Sequence, residues 1–179
     1  MATNKWVLDL AHSEVHFKIK HLVISTITGS FNIFSGTLET KEHDNFNNAH
    51  FEISIDVFSI DTNNSTRDEH LKSEDFFNAD IYPKINFSST GFVHTGGDNY
   101  KLTGQLTIKG VTKPVVFDVL FGGEAKDGFG INRAGFEIEG KINRNDFNIH
   151  APDVTETGGL VLGEDIKLHA NVQFTNETK

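Results

Sequence analysis

Apolar and polar residues alternate along most of the chain, and strand is the structure this predicts. Over residues 12–22, Val15, Phe17 and Ile19 fall on one face and His16, Lys18 and Lys20 on the other, the period-two pattern of a half-buried strand. Ile27-Thr28-Gly29-Ser30 reads as the turn into a second strand through Phe31, Ile33, Phe34 and Leu38. Two phenylalanines three apart break the alternation there, so a bulge is expected near Phe34 or Gly36. A polar turn over residues 41–48 leads to a third strand of Phe51, Ile53, Ile55 and Val57. Further strands carry Ile85 and Phe87, then Tyr100 to Ile108, Val115 to Phe121, Phe136 to Ile142, and Ile166 to Phe174. Gly96-Gly97, Gly110 and Gly128 mark tight turns between them. A long loop over residues 144–163 holds Pro152 and Gly158-Gly159.

One stretch breaks the pattern. Residues 59–77, SIDTNNSTRDEHLKSEDFF, read as the single helical segment. Thr66 and Glu69 fit a capping box that starts the helix at Arg67, and Asp68 precedes Lys72 by a favourable four residues. Two to three turns do not hold themselves in water, so Leu71, Phe76 and Phe77 are expected to dock on the strands.

These elements predict an all-β fold: an eight-stranded antiparallel barrel with one short helix between strands 3 and 4. Long strands without polar edge devices favour closure, and a two-sheet sandwich is the structural rival. The 179 residues, with no repeat and no linker, read as one domain over 1–179. A barrel of eight strands is either filled by its own side chains or holds one small ligand. Residues placed to face the interior are Phe17, Ile19, Phe31, Phe34, Ile53, Phe87, Leu102, Leu106, Phe117, Phe136 and Ile138, with Leu71 and Phe76 from the helical stretch. Pattern alone does not distinguish a lined cavity from a packed core.

Composition narrows the classes. Sixteen phenylalanines stand against two tyrosines and one tryptophan, aromatic bulk that suits a deep core or an apolar cavity. A net charge of −9 without basic patches argues against nucleic acid. Cysteine is absent, which rules out disulfides and thiol nucleophiles. No apolar run approaches the ~20 residues of a membrane helix, and no apolar leader precedes Trp6. The expected location is cytoplasmic, or periplasmic if a native leader was replaced.

No catalytic constellation emerges. His12 and His16 are four apart, about 13 Å on a strand, too far to share one metal ion. No cofactor or metal is expected. Asp61, Arg67, Asp68 and His70 form the densest ionisable cluster, and their favoured role is structural, with Arg67 pairing a carboxylate to pin the helix as a lid or brace. Arg67 and His70 are also the candidate contacts for a ligand's head group.

At this point the chain resembles the YceI-like family. The carrying stretches are WVLDLAHSEVHF at residues 6–17, His21-Leu22 with Gly29-Ser30-Phe31, and SIDTNNSTRDEHLKSEDFF. YPKINFSST, LTGQLTIKGVTKP, NRAGFEIEGKINRNDF and GGLVLGEDIKL follow in order. The resemblance implies a lipocalin-like barrel that binds a long-chain isoprenoid lipid, such as a polyprenyl phosphate or a prenyl quinone, without catalysis. Leu10 stands where many relatives have proline, and Asn148 where a glycine is usual. Alternatives are a fatty acid or fatty amide ligand, a stress-response interaction protein with a filled barrel, or an enzyme acting on a lipid tail. A homodimer is compatible with each.

Overall fold

A computed structural model describes residues 3–41, 45–150 and 162–176. In chain order the elements are β1 (Thr3–Leu8), a 3-10 turn η1 (Leu10–His12), β2 (Glu14–His21), β3 (Ser25–Phe31), β4 (Phe34–Lys41) and β5 (His50–Asp56). There follow η2 (Val57–Ser59), β6 (Ile60–Asp61), α1 (Ser65–Lys72), β7 (Lys84–Gly96) and β8 (Asn99–Ile108). The chain closes with β9 (Val111–Lys126), β10 (Asn132–Asn143), η3 (Arg144–Phe147) and β11 (Leu162–Asn176). Pro152 and Gly158-Gly159 of the expected long loop lie outside the described residues, as does part of the polar turn over residues 41–48. No helix among the described residues is long and apolar enough to cross a membrane.

The strands form a closed antiparallel barrel in the order β1-β4-β5-β7-β8-β9-β10-β11, sealed by β1 against β11. Eight strands build it because β1 with β2, and β3 with β4, are each one strand broken by a bend. β11 shows this directly: it pairs with β2 from Leu162 to Asn171 and with β1 at Phe174 and Thr175. The first bend is η1, which Asp9 caps by accepting the Ala11 N–H at 3.1 Å. At the second, Asn32 turns its N–H to Ser59 O and Ile33 offers its carbonyl to Asp56.

Three local expectations are corrected. Residues 27–30 are not a turn but the middle of β3, where Gly29 pairs with Phe17; the actual turn is Leu22-Val23-Ile24. The bulge expected at Phe34 or Gly36 is absent, because the strand breaks at Asn32-Ile33; among the described residues, irregularities fall instead at Gly135/Phe136, Ser89/Gly91, His94/Gly96 and Leu162/Ile166. The helix begins at Ser65 rather than Arg67. Asn64, extended at φ −151°, accepts the Arg67 N–H at 3.0 Å and takes the cap that Thr66 was expected to provide.

The two ends of the barrel differ. At one end, the turns between β7 and β8 and between β9 and β10 sit over a plug of rings. Phe51 meets Phe92, Phe136 and Phe174 edge-on at centroid distances of 5.0, 5.5 and 5.9 Å. Phe46 packs on Trp6, Phe121 and Phe136, the tilted and edge-to-face geometry that ring quadrupoles prefer. The end of β2 and the starts of β3, β7, β9 and β11 lie at the opposite, open end, with α1 and η3. There the lumen is kept clear partly by close approach at two glycines. A Cβ on Gly29 would stand 2.3 Å from Phe17 Cζ, and one on Gly140 2.1 Å from Phe117 Cδ1. Both rings therefore lie over the neighbouring strand's bare backbone instead of reaching across the barrel.

Candidate functional site

The open half of the barrel encloses a cavity of about 550 Å³, within the size range of small-molecule sites. Each strand delivers its inward set to the wall because the pleat turns every second side chain to the lumen. Phe17 and Ile19 come from β2, Phe31 from β3, Phe34 from β4, and Ile53 from β5. Phe87 comes from β7, Leu102 and Leu106 from β8, Phe117 from β9 and Ile138 from β10. Leu71, Phe76 and Phe77 reach in from α1 and the turn after it, and Arg67 and His70 also border the space.

Phe136 is the correction. It was placed on the cavity wall, yet the structure puts it in the ring plug, in contact with Phe46, Phe51, Phe92, Phe121 and Phe174. Its alternation is right and its height along the barrel is not, since height depends on register with β9 and β11. Sequence reasoning also missed wall residues that the same alternation offered, among them Ile142, Ile166 and Leu168. It placed Thr62, with Asp61, only as a cap or brace of the loop, and it missed Arg144, for which no periodic signal exists.

The lid is organised by Thr62, a buried residue between β6 and α1. Asp68, itself buried, accepts the Thr62 N–H at 2.9 Å and the Thr62 hydroxyl at 2.5 Å. Arg67 Nε donates to Thr62 Oγ1 at 2.8 Å and Nη2 donates to Thr62 O at 2.7 Å. Arg67 thus braces the lid as expected, but through a threonine rather than a carboxylate, because the adjacent Asp68 is already committed to Thr62. The expected pairing of Asp68 with Lys72 is likewise absent; Lys72 bonds Glu69 at 3.1 Å. His70 pairs with Asp75 at 3.1 Å and sets its ring edge-on to Phe76 at 4.9 Å.

Arg144 begins η3 and is only 3% exposed. Its Nε donates to Gly163 O at 2.8 Å, Nη1 to Ile149 O at 2.9 Å, and Nη2 to Leu162 O at 3.2 Å. Burial pushes its pKa down, opposed by the charge of exposed Glu164. Asn148 ends η3 at φ 57°, so the position where glycine was expected is filled by the non-glycine residue best suited to the left-handed region.

On the β10–β11 wall, Glu137, Glu139 and His169 gather their ligating atoms within 4.8 Å, and His169 also borders the cavity. His169 Nε2 lies 3.0 Å from Glu137 Oε1. This trio is assembled across two strands, so a search for ligand spacing along the chain does not find it.

A model of the YceI-like domain matches residues 6–174. A UPF0312 protein of Staphylococcus aureus is 39% identical over 171 residues, covering 95% of this chain and 96% of that protein. Among solved structures, a Campylobacter jejuni YceI protein superposes with a TM-score of 0.75 at 36% identity, over 90% of this chain and 91% of that one. A polyisoprenoid-binding domain from Saccharophagus degradans shares the fold, with a TM-score of 0.68 at 14% identity over 96% and 98% of the two chains.

Proposed function

The chain belongs to the YceI-like family, and from that premise we propose that it binds a long-chain isoprenoid lipid, unchanged, with the tail in the barrel. The observation that carries this reading is the cavity itself: about 550 Å³, walled mostly by aliphatic and aromatic side chains from the barrel strands and bordered at its open end by Leu71, Phe76 and Phe77 together with Thr62, Arg67 and His70. The solved polyisoprenoid-binding domain, similar in fold alone, supports the same ligand class. Each buried methylene contributes about 0.8 kcal/mol, so roughly fifteen tail carbons supply on the order of 10 kcal/mol before the costs of association and ordering. Length and shape then set affinity, and lipids with similar tails compete. Among the described lining residues the hydroxyls are Ser25 and Thr62, and that of Thr62 is held between Arg67 and Asp68. Storage or transport of a polyprenyl phosphate or prenyl quinone is the physiological role proposed.

The test is extraction of the purified protein with organic solvent and mass spectrometry of the extract. A stoichiometric isoprenoid is the expected result. A fatty acid or fatty amide in its place would keep the cavity and change the tail. An empty extract, with no uptake of an added prenyl quinone, would remove the reading altogether.

A further inference from the structure

Two features lie at one corner of the barrel's open end, and each works against the stability of the free protein. The first is the β2–β3 turn. Leu22, Val23 and Ile24 are 38, 77 and 85% exposed, and Leu22 and Val23 hold the left-handed backbone that suits glycine and asparagine. Three consecutive apolar side chains are thus presented to the outside on a backbone that opposes two of them. The second feature is a row of lysines on the outer wall. Phe17, Ile19, Ile142 and Leu168 line the cavity, so the pleat turns Lys18, Lys20, Lys141 and Lys167 outward. Lys141 pairs with Lys167, and Lys167 with Lys18, across β10, β11 and β2; like charges set directly opposite repel. Lys141 Nζ lies 3.6 Å from Asp165 Oδ2, whereas Lys18, Lys20 and Lys167 have no ion-pair partner among the described residues. In a chain of net charge −9, this cluster runs against the general balance.

We propose that this corner docks the protein on a phospholipid bilayer, with the Leu22-Val23-Ile24 tip sunk into the acyl boundary and the lysines over a negatively charged surface. A bilayer resolves both conflicts at once, because its hydrocarbon takes the apolar tip and its surface potential takes the lysines. The spacing suits that layering. At a strand rise of about 3.3 Å per residue, Lys20 lies about 10 Å from Val23 and Lys18 about 17 Å from it. A tip buried by about 5–10 Å then brings Lys20 to the surface and keeps the row of Lys18, Lys167 and Lys141 within about a Debye length of it. The carboxylates beside the row on β11 are Glu164 and Asp165, both exposed, and Asp165 is engaged by Lys141. The acidic remainder of the molecule is repelled by the same surface, which orients the approach. A second copy of this chain would cover the tip but would bring the same unpaired lysines to the contact. The docking surface is separate from the ligand site, since Lys18, Lys20, Leu22, Val23, Ile24, Lys141 and Lys167 are all absent from the cavity wall. His21 and Ser25, which flank the tip, do border the cavity, so docking sets the entrance on the layer from which a long-chain lipid is drawn. That last link rests on the lipid-binding reading.

The experiment floats the full chain with vesicles of phosphatidylcholine alone and of phosphatidylcholine mixed with phosphatidylglycerol. Binding to the mixed vesicles is expected to exceed binding to the neutral ones by about tenfold or more, as several lysines near an anionic surface imply, and to weaken as salt is raised. Val23→Gly with Ile24→Ser abolishes flotation on both, with a Tm at or above that of the wild type because the turn is relieved. Lys18→Gln with Lys167→Gln removes the preference for the mixed vesicles. Uptake of farnesol from a detergent dispersion stays at the wild-type level in both variants. Equal binding to the two vesicles, binding to neither, or binding that survives the tip variant overturns the inference and leaves the lipid-binding reading standing. A dimer that the tip variant dissolves, with no flotation, makes the tip a contact between two copies and also overturns it. Flotation that follows the expected pattern, with no uptake of farnesol or of a prenyl quinone, upholds the docking surface and removes the lipid-binding reading. If the tip variant does not fold, the lysine variant and the salt titration of the wild type decide.

Discussion

Arg133 shows what a structural arginine looks like in this protein. It joins Asp9, the cap of η1, to Asp127 in the β9–β10 turn, and so ties the first bend of the chain to the plugged end of the barrel. Arg133, and to a lesser degree His12, hold the Asp9 carboxyl below its ordinary value of 3.8; Arg133 and the backbone N–H of Ile131 do the same for Asp127. A carboxylate whose folded pKa is depressed contributes stability that is fully present above the unfolded value and is lost as pH falls through the folded one. Asp9→Asn is therefore expected to lower Tm by roughly 2 °C at pH 7, with the gap closing as pH falls below the ordinary value of 3.8 and through the depressed folded one. Melting both proteins across that range checks it, and a gap that persists at low pH would locate the loss in packing or capping instead.

Among the elements, the β2–β3 hairpin carries the clearest local conflict. Leu22 and Val23 sit at φ 52° and 63°, a region costing a non-glycine residue about 1–2 kcal/mol and most unfavourable for a β-branched side chain. Asparagine and glycine are the residues that enter this region most readily. Leu22→Asn with Val23→Gly is expected to raise stability by on the order of 1 kcal/mol, read as a higher denaturant midpoint with an unchanged slope; a lower midpoint would mean the apolar tip is packed in solution. The same conflict explains why this turn was misplaced in the sequence. Gly29-Ser30 carries the turn composition, but Gly29 is there to admit the Phe17 ring, and the real turn is written in residues that oppose it. The lid has a milder version. Asn63, Asn64, Ser65 and Thr66 are all capping types, and only the path from β6 into α1 selects Asn64.

For the molecule as a whole, a hollow open end means that a ligand binds the folded chain alone. Saturation at a hundred times Kd then stabilises by about 2.7 kcal/mol, or roughly 5–10 °C in Tm for a protein of this size. Thermal melts of delipidated protein with and without farnesyl phosphate measure it. No shift at saturating ligand would mean the cavity does not take it up, or that the unfolded chain binds it equally well.

Strand content, the eight-strand count, antiparallel order and most inward-facing side chains were legible in the residues, because a two-residue period follows from the backbone pleat and needs no distant partner. Phe17, Phe31, Phe87, Leu106 and Phe117 could be assigned to the inside from their neighbours alone. Height in the barrel could not. Phe136 and Phe117 alternate equally well, and only the register of β10 on β9 and β11 sends one to the plug and leaves the other at the cavity. Nor could the hollow be read, since it depends on rings covering Gly29 and Gly140 across strand boundaries. The place of Arg144 was hidden most completely. Arg144 is buried by carbonyls of Leu162 and Gly163, the latter 19 residues along the chain, and the positive character of the lumen belongs to no segment. It exists only once closure gathers two arginines at a cavity lined, among the described residues, by no carboxylate. The stretch over residues 59–77 gathers charge in the sequence and looks like chemistry; in the barrel those charges are the braces of a lid, and one of them, Arg67, keeps open N–H groups at the cavity.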